Sequence, residues 1–141
     1  MTIFARTIRR SFLAAMCLAL ISRSAVAGPS VASGTYHTVL LTDTGVVWVW
    51  GVNNWGQFGN GTTTDSKVPV VVLSISGMTA VAAGGNSSYA LKNDGTVWAW
   101  GENTNGQLGD NTQTWRTSPV QVSGLTNVVA IAAGNAHALA L

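Results

Sequence analysis

Cysteine is nearly missing from this chain, which has one, Cys17, in 141 residues. A single thiol cannot close an internal disulfide or supply the paired thiolates of a zinc site. Charge is scarce too, with seven basic and five acidic residues. Four of the basic ones, Arg6, Arg9, Arg10 and Arg23, lie in the first 27 residues, which hold no acid. From Gly28 onward only Lys67, Lys92 and Arg116 face Asp43, Asp65, Asp94, Glu102 and Asp110. That body is mildly acidic and lacks a basic run, which excludes nucleic-acid binding by phosphate neutralisation. Long apolar runs are absent as well: the best, within "SFLAAMCLALI", has ~10 residues against the ~20 of a membrane-spanning helix. With 3 prolines, 16 glycines and 6 tryptophans among Val-rich runs, the composition is that of an all-β chain with tight turns, not of a disordered one.

The first 27 residues read as an export signal. "MTIFARTIRR" is a positively charged start, "SFLAAMCLALI" an apolar middle, and Ala25-Val26-Ala27 a small-residue cleavage site before Gly28. Arg9-Arg10 in "RRSFL" resembles the twin-arginine signal, although Ile8 stands where Ser or Thr is usual, so that route and the general one both stay open. Cys17 lies inside the apolar segment, preceded by Met16, and is expected to leave with the signal rather than carry a lipid. The expected product is an exported bacterial protein of residues 28–141 without a thiol.

Self-comparison of that body gives a fifty-residue period. "GVVWVWGVNNWGQFGN" (45–60) aligns with "GTVWAWGENTNGQLGD" (95–110), Pro69 with Pro119, and "AVAAG" (80–84) with "AIAAG" (130–134). Each unit reads as four short strands. "HTVLLT" and "VVWVWG" flank a turn at Asp43-Thr44-Gly45, as "SYALK" and "TVWAWG" flank Asn93-Asp94-Gly95. "PVVVL" and "PVQVS" open on proline as third strands, and "MTAVAAG" and "VVAIAAG" are the fourth. In "VWVWG" the valines point one way and the tryptophans the other, so the strand is apolar on both faces and must lie between two layers. Blades stacked around an axis provide that arrangement, which predicts a partial β-propeller of four-stranded antiparallel blades.

"VWAWGENTNGQLGD", the following proline and "VVAIAAGNAHALAL" resemble the regulator of chromosome condensation repeat family over residues 31–141. The resemblance implies β-propellers, typically seven-bladed, with one repeat per blade, serving mainly as interaction platforms. This chain holds two full intervals and the start of a third. It is therefore expected to be a fragment of a longer reading frame, in preference to copies that assemble into a ring, because Leu141 falls inside a strand. The family also includes a guanine nucleotide exchange factor, a plant light receptor and a secreted β-lactamase inhibitor. The receptor's tryptophan and arginine correspond here to Thr35-Tyr36, Gly85-Asn86 and Asn135-Ala136, so photoreception is not implied.

Comparing the copies sorts the candidate chemistry. Asp43 aligns with Asn93, Thr44 with Asp94, Glu102 with Val52, and Asp110 with Asn60, so no carboxylate keeps its place. A glycosidase needs two carboxyls at a fixed separation, whereas turn residues can drift. An Asp-box-like hairpin at Asp43 to Trp48 lacks the arginine cluster of sialidases. His37, Ser87 and His137 share a repeat position that reads as a polar slot at a strand start. No metal, cofactor or catalytic site is expected. Trp48, Trp50, Trp98 and Trp100 read as core. Trp55 aligns with Asn105 and Trp115 with Asp65, so neither belongs to the repeat framework. With Arg116 they sit in polar loops and are the candidate contacts for a partner, a protein or a glycan. The expected function is a non-enzymatic, exported interaction module. The alternatives are a piece of a glycan-hydrolase-like propeller whose active site lies in other blades, a relative of the exchange factor or inhibitor, or a structural repeat array.

Overall fold

The computed structural model describes residues 28–141; the expected export signal lies outside them. The strands are β1 (Ser30–Ser33), β2 (His37–Leu41), β3 (Val47–Gly51), β4 (Ser66–Val71), β5 (Met78–Gly84), β6 (Ser87–Lys92), β7 (Val97–Gly101), β8 (Arg116–Gln121), β9 (Ile131–Ala133) and β10 (Ala138–Ala140). They form two four-stranded sheets, ordered β1-β2-β3-β4 and β5-β6-β7-β8, and a two-stranded sheet of β9 and β10. All pairings are antiparallel. This is a partial propeller of two blades and the inner half of a third. Among the described residues no helix is long and apolar enough to cross a membrane.

The hairpin turns form as Asp43-Thr44-Gly45 and Asn93-Asp94-Gly95 predict. Gly45 and Gly95 have φ of 78° and 79°, a conformation that a side chain would strain. Two details differ from the expectation. The strand ending in Ala-Ala-Gly opens a blade instead of closing one: β5 pairs with β6 through the tight turn after Gly84, while residues 72–77 cross from β4 to the next sheet. The outer strands also begin three residues before proline. Pro69 and Pro119 sit where the register with β3 and β7 shifts, so the missing N–H interrupts no regular ladder.

The alternation along β3 and β7 builds the seams between blades. Val39, Leu41, Val47, Val49, Phe58 and Val72 of the first blade pack with Met78, Ala90 and Trp100 of the second, with Trp98 at the margin. The valines of β3 therefore face forward and the tryptophans of β7 face back. Trp100 is fully buried, whereas Trp48 and Trp50 are half-buried, because their face of β3 points away from the second blade.

Candidate functional site

The loops from β3 to β4 and from β7 to β8 are each organised around one fully buried asparagine. The carboxamide oxygen of Asn53 accepts from the Phe58 N–H at 2.9 Å, and its amino group donates to the Thr62 and Thr64 carbonyls at 3.0 and 3.2 Å. Asn103 repeats this with the Leu108 N–H at 2.9 Å and the Thr112 and Thr114 carbonyls, both at 3.1 Å. One side chain thus ties the outgoing half of each loop to the returning half. Gln57 and Gln107 add a second tie, their side-chain oxygens accepting from the N–H of Trp55 (2.7 Å) and Asn105 (2.9 Å). Phe58 and Leu108 plug the loops into the core. The letters that the two copies share from Trp50 and from Trp100, W-G-x-N-x-x-G-Q-[LF]-G, are therefore scaffold, and the variable positions are what the loops present. The sequence reading missed Asn53 and Asn103 as organisers; their exact fifty-residue recurrence was the available signal.

Trp55 occupies such a variable position on the first loop, and Trp115 sits at the end of the second. The fold brings them together: the ring centroids are 6.4 Å apart with planes at 88°, an edge-to-face pair. The contact is possible because Gly56 lies directly against the backbone of Arg116 and Thr117, and the Gly61 N–H donates to the Thr117 carbonyl at 2.8 Å. Trp55 is 36% exposed and Trp115 42%. Arg116, the third candidate, is partly exposed beside Trp115 and ion-paired. Its Nε and Nη2 lie 2.7 and 2.6 Å from Asp110 Oδ2, so the guanidinium is bound to its own loop.

Four of the five acids among the described residues are held in local structure. Asp110 is pushed up by burial, but hydrogen bonds from Thr112, Arg116 and Asn103 outweigh that and leave its carboxyl below the usual range. Asp65 accepts from the Asn53 N–H at 2.7 Å, and Glu102 accepts from Asn86 and Thr104, both at 2.9 Å. Asp94, in the opposite turn, accepts from the Thr96 hydroxyl and N–H, bonds that hold it down at about 2, and pairs with Lys92 at 3.0 Å. No three His, Cys, Asp or Glu side chains among the described residues cluster as metal ligands.

His37 fills its polar slot by reaching across the seam, with Nε2 2.9 Å from Ser88 Oγ. Ser88 gives its only hydroxyl proton to the Gln57 carbonyl, so His37 Nε2–H must be the donor. Burial holds this imidazole down at about 4. The equivalent Ser87 donates to the Glu102 carbonyl instead, and His137 is exposed.

A cavity of about 450 Å³ lies between the second blade and the β9–β10 hairpin, lined by Tyr89, Val97, Leu108, Val122, Leu125 and Ile131 among others. One repeat earlier, Val39, Val47, Phe58, Val72 and Ile75 enclose Trp98 and Trp100. The cavity thus lies where Trp98 and Trp100 pack one repeat earlier, and no carboxylate lines it.

Known proteins match this arrangement. A family model described as regulator of chromosome condensation (RCC1) repeat matches residues 44–91 and 94–141, and a second of the same description matches 30–57 and 78–107. A 47-residue stretch is 47% identical to the E3 ubiquitin-protein ligase HERC2 of Homo sapiens, and equally to that of Mus musculus. The match covers 33% of this chain and 1% of those proteins. Human WBSCR16 superposes with a TM-score of 0.72 at 30% identity, covering 79% of this chain and 30% of that one. Yeast RCC1 (Prp20), in its crystal structure with Kap60, gives 0.68 at 23% identity, over 79% of this chain and 29% of that one. Prp20p from Saccharomyces cerevisiae, in a structure described with its binding to Gsp1p and histones, gives 0.69 at 23%, over 79% and 30%. The yeast likeness concerns the fold alone.

Proposed function

The chain belongs to the regulator of chromosome condensation (RCC1) repeat family, and from that premise we propose that it is an exported, non-catalytic binding module. Its ligand, a protein or a glycan, meets the loops at one end of the blades. The observation that carries this reading is the edge-to-face contact of Trp55 and Trp115, two half-exposed residues outside the repeat framework and from successive blades. A rigid scaffold that holds large aromatic groups at its surface is the usual construction of a binding hot spot. The yeast propellers are described with protein partners, which supports the binding role in general. The ligase activity in the name of HERC2 belongs to a protein of which this chain matches 1%.

A binding role predicts that replacing Trp55 and Trp115 together by alanine abolishes ligand capture while thermal unfolding stays cooperative. Capture unchanged by the double variant would overturn the assignment of this surface. Export rests on the Arg9-Arg10 start, the apolar segment and Ala25-Val26-Ala27. N-terminal sequencing of protein from the periplasm or medium should read Gly28 first; an intact Met1 on cytoplasmic protein would refute it.

Self-association through a blade seam is a second reading, favoured by the half-buried Trp48 and Trp50, which repeat the face that Trp98 and Trp100 use to dock on the first blade. Light scattering of the purified chain should then give a mass above the monomer, falling for Trp50→Glu.

A further inference from the structure

We infer that the Trp55–Trp115 corner is a recognition site for a neutral, pyranose-based glycan. This rests on the reading that the loop end is the binding surface, and it names the ligand class. Arg116, the cation beside Trp115, is paired with Asp110, and the remaining charged side chains of the two loops are carboxylates that meet only neutral donors: Asp65 the Asn53 N–H, and Glu102 the Asn86 amide and Thr104 hydroxyl. The loop surface therefore offers no unpaired cation to a phosphate or to a sulfated or uronic-acid sugar. What it offers instead is uncharged hydrogen-bonding capacity. Asn54, Thr63, Asn111, Gln113 and Thr114 are exposed on these loops. Aromatic faces for the C–H surface of a sugar ring, bordered by amides and hydroxyls for its O–H groups, match a neutral glycan on both counts.

Rings at 88° cannot both lie along one flat ligand face. A crystalline polysaccharide surface needs coplanar aromatics and is excluded. A single sugar seated in the corner can stack on one indole and meet the other side-on, which suits a chain end or a turn in a soluble glycan. The corner also exists before binding, because the rings brace each other and Gln57 holds the Trp55 backbone, so little side-chain entropy remains to be lost.

The test is titration of the purified full chain with maltoheptaose, cellohexaose and xylohexaose, followed by tryptophan fluorescence and calorimetry, with heparin and microcrystalline cellulose as the charged and flat counterparts. At least one neutral oligosaccharide should bind, weakened about tenfold or more by Trp115→Ala and by Trp55→Ala, with melting checked for each variant. Trp115→Phe, which keeps an aromatic face, should retain most of the affinity even if an alanine variant folds poorly. Binding to heparin or crystalline cellulose alone would overturn the inference, as would no binding to any neutral sugar. A photo-crosslinker at position 115 separates the two levels of the argument. A directly trapped protein partner, with no sugar binding, ends the glycan inference and leaves the loop-end reading standing. Sugar binding insensitive to every tryptophan variant ends both.

Discussion

The indole N–H of Trp100 in the second blade donates to the main-chain carbonyl of Gln57 in the first, 2.7 Å away, and the Ser88 hydroxyl donates to the same oxygen at 2.9 Å. A single carbonyl thus receives two donors from the neighbouring blade, inside a seam where Trp100 has no exposure to water. Trp100→Phe keeps most of the apolar contact and removes one donor. It should cost about 1 kcal/mol in denaturant unfolding, whereas Trp100→Ala, which empties the seam, should cost roughly 3 to 5 kcal/mol.

Asn103 holds its loop through contacts on both ends of its amide. Asn103→Ala removes the side chain and leaves the Leu108 N–H and two carbonyls to find water. The expected loss is roughly 2 to 4 kcal/mol, with faster amide exchange over residues 104–114. Asn103→Asp keeps the acceptor but sets a buried carboxylate oxygen against Asp110 and the two carbonyls, and should recover none of the loss near neutral pH.

The seam should weaken with acid. His37 is held down at about 4 by burial, against about 6.5 in an unfolded chain, and its Nδ1 is buried without a partner. Between these values the unfolded chain binds the proton more readily, so stability falls as pH drops from about 6.5 to 4 and is flat below. The contribution is up to roughly 3 kcal/mol. Asp94, held at about 2, titrates below this window. Melting temperature against pH should show the slope, and His37→Gln should flatten it.

The indole pair should contribute to folding as well as presentation. A double-mutant cycle on Trp55 and Trp115 is expected to give a coupling of about 1 kcal/mol, beyond the burial each ring contributes alone. Zero coupling in chemical denaturation would mean that the rings do not brace each other.

Much of this molecule was legible as text. A fifty-residue repeat with glycine at 45 and 95 announces two hairpins, and valine alternating with tryptophan announces strands with both faces covered. Those statements need only local geometry: a turn that only glycine enters easily, and the two-residue period of a strand. The same comparison showed that no carboxylate keeps its place between the copies, a drift that turn and loop positions permit. The offset between unit and blade was not legible. Family matches at 44–91 and 94–141 run from one blade's hairpin turn into the next blade's second strand, so similarity alone does not say where a sheet begins.

The sequence alone determined that Trp55 and Trp115 stand outside the framework, and that Arg116 lies beside one of them. Only the tertiary structure decided that the two indoles touch and that the arginine is paired with Asp110. Stacking the second blade on the first sets Gly56 against Arg116 and Thr117, closing a gap of sixty residues along the chain to 6.4 Å between rings. Asp110, whose carboxylate is nearly covered by its own loop, takes Arg116 as its counter-charge. Both outcomes depend on packing between segments distant in sequence, where a side chain's partners are chosen by burial and charge and not by its neighbours in the chain.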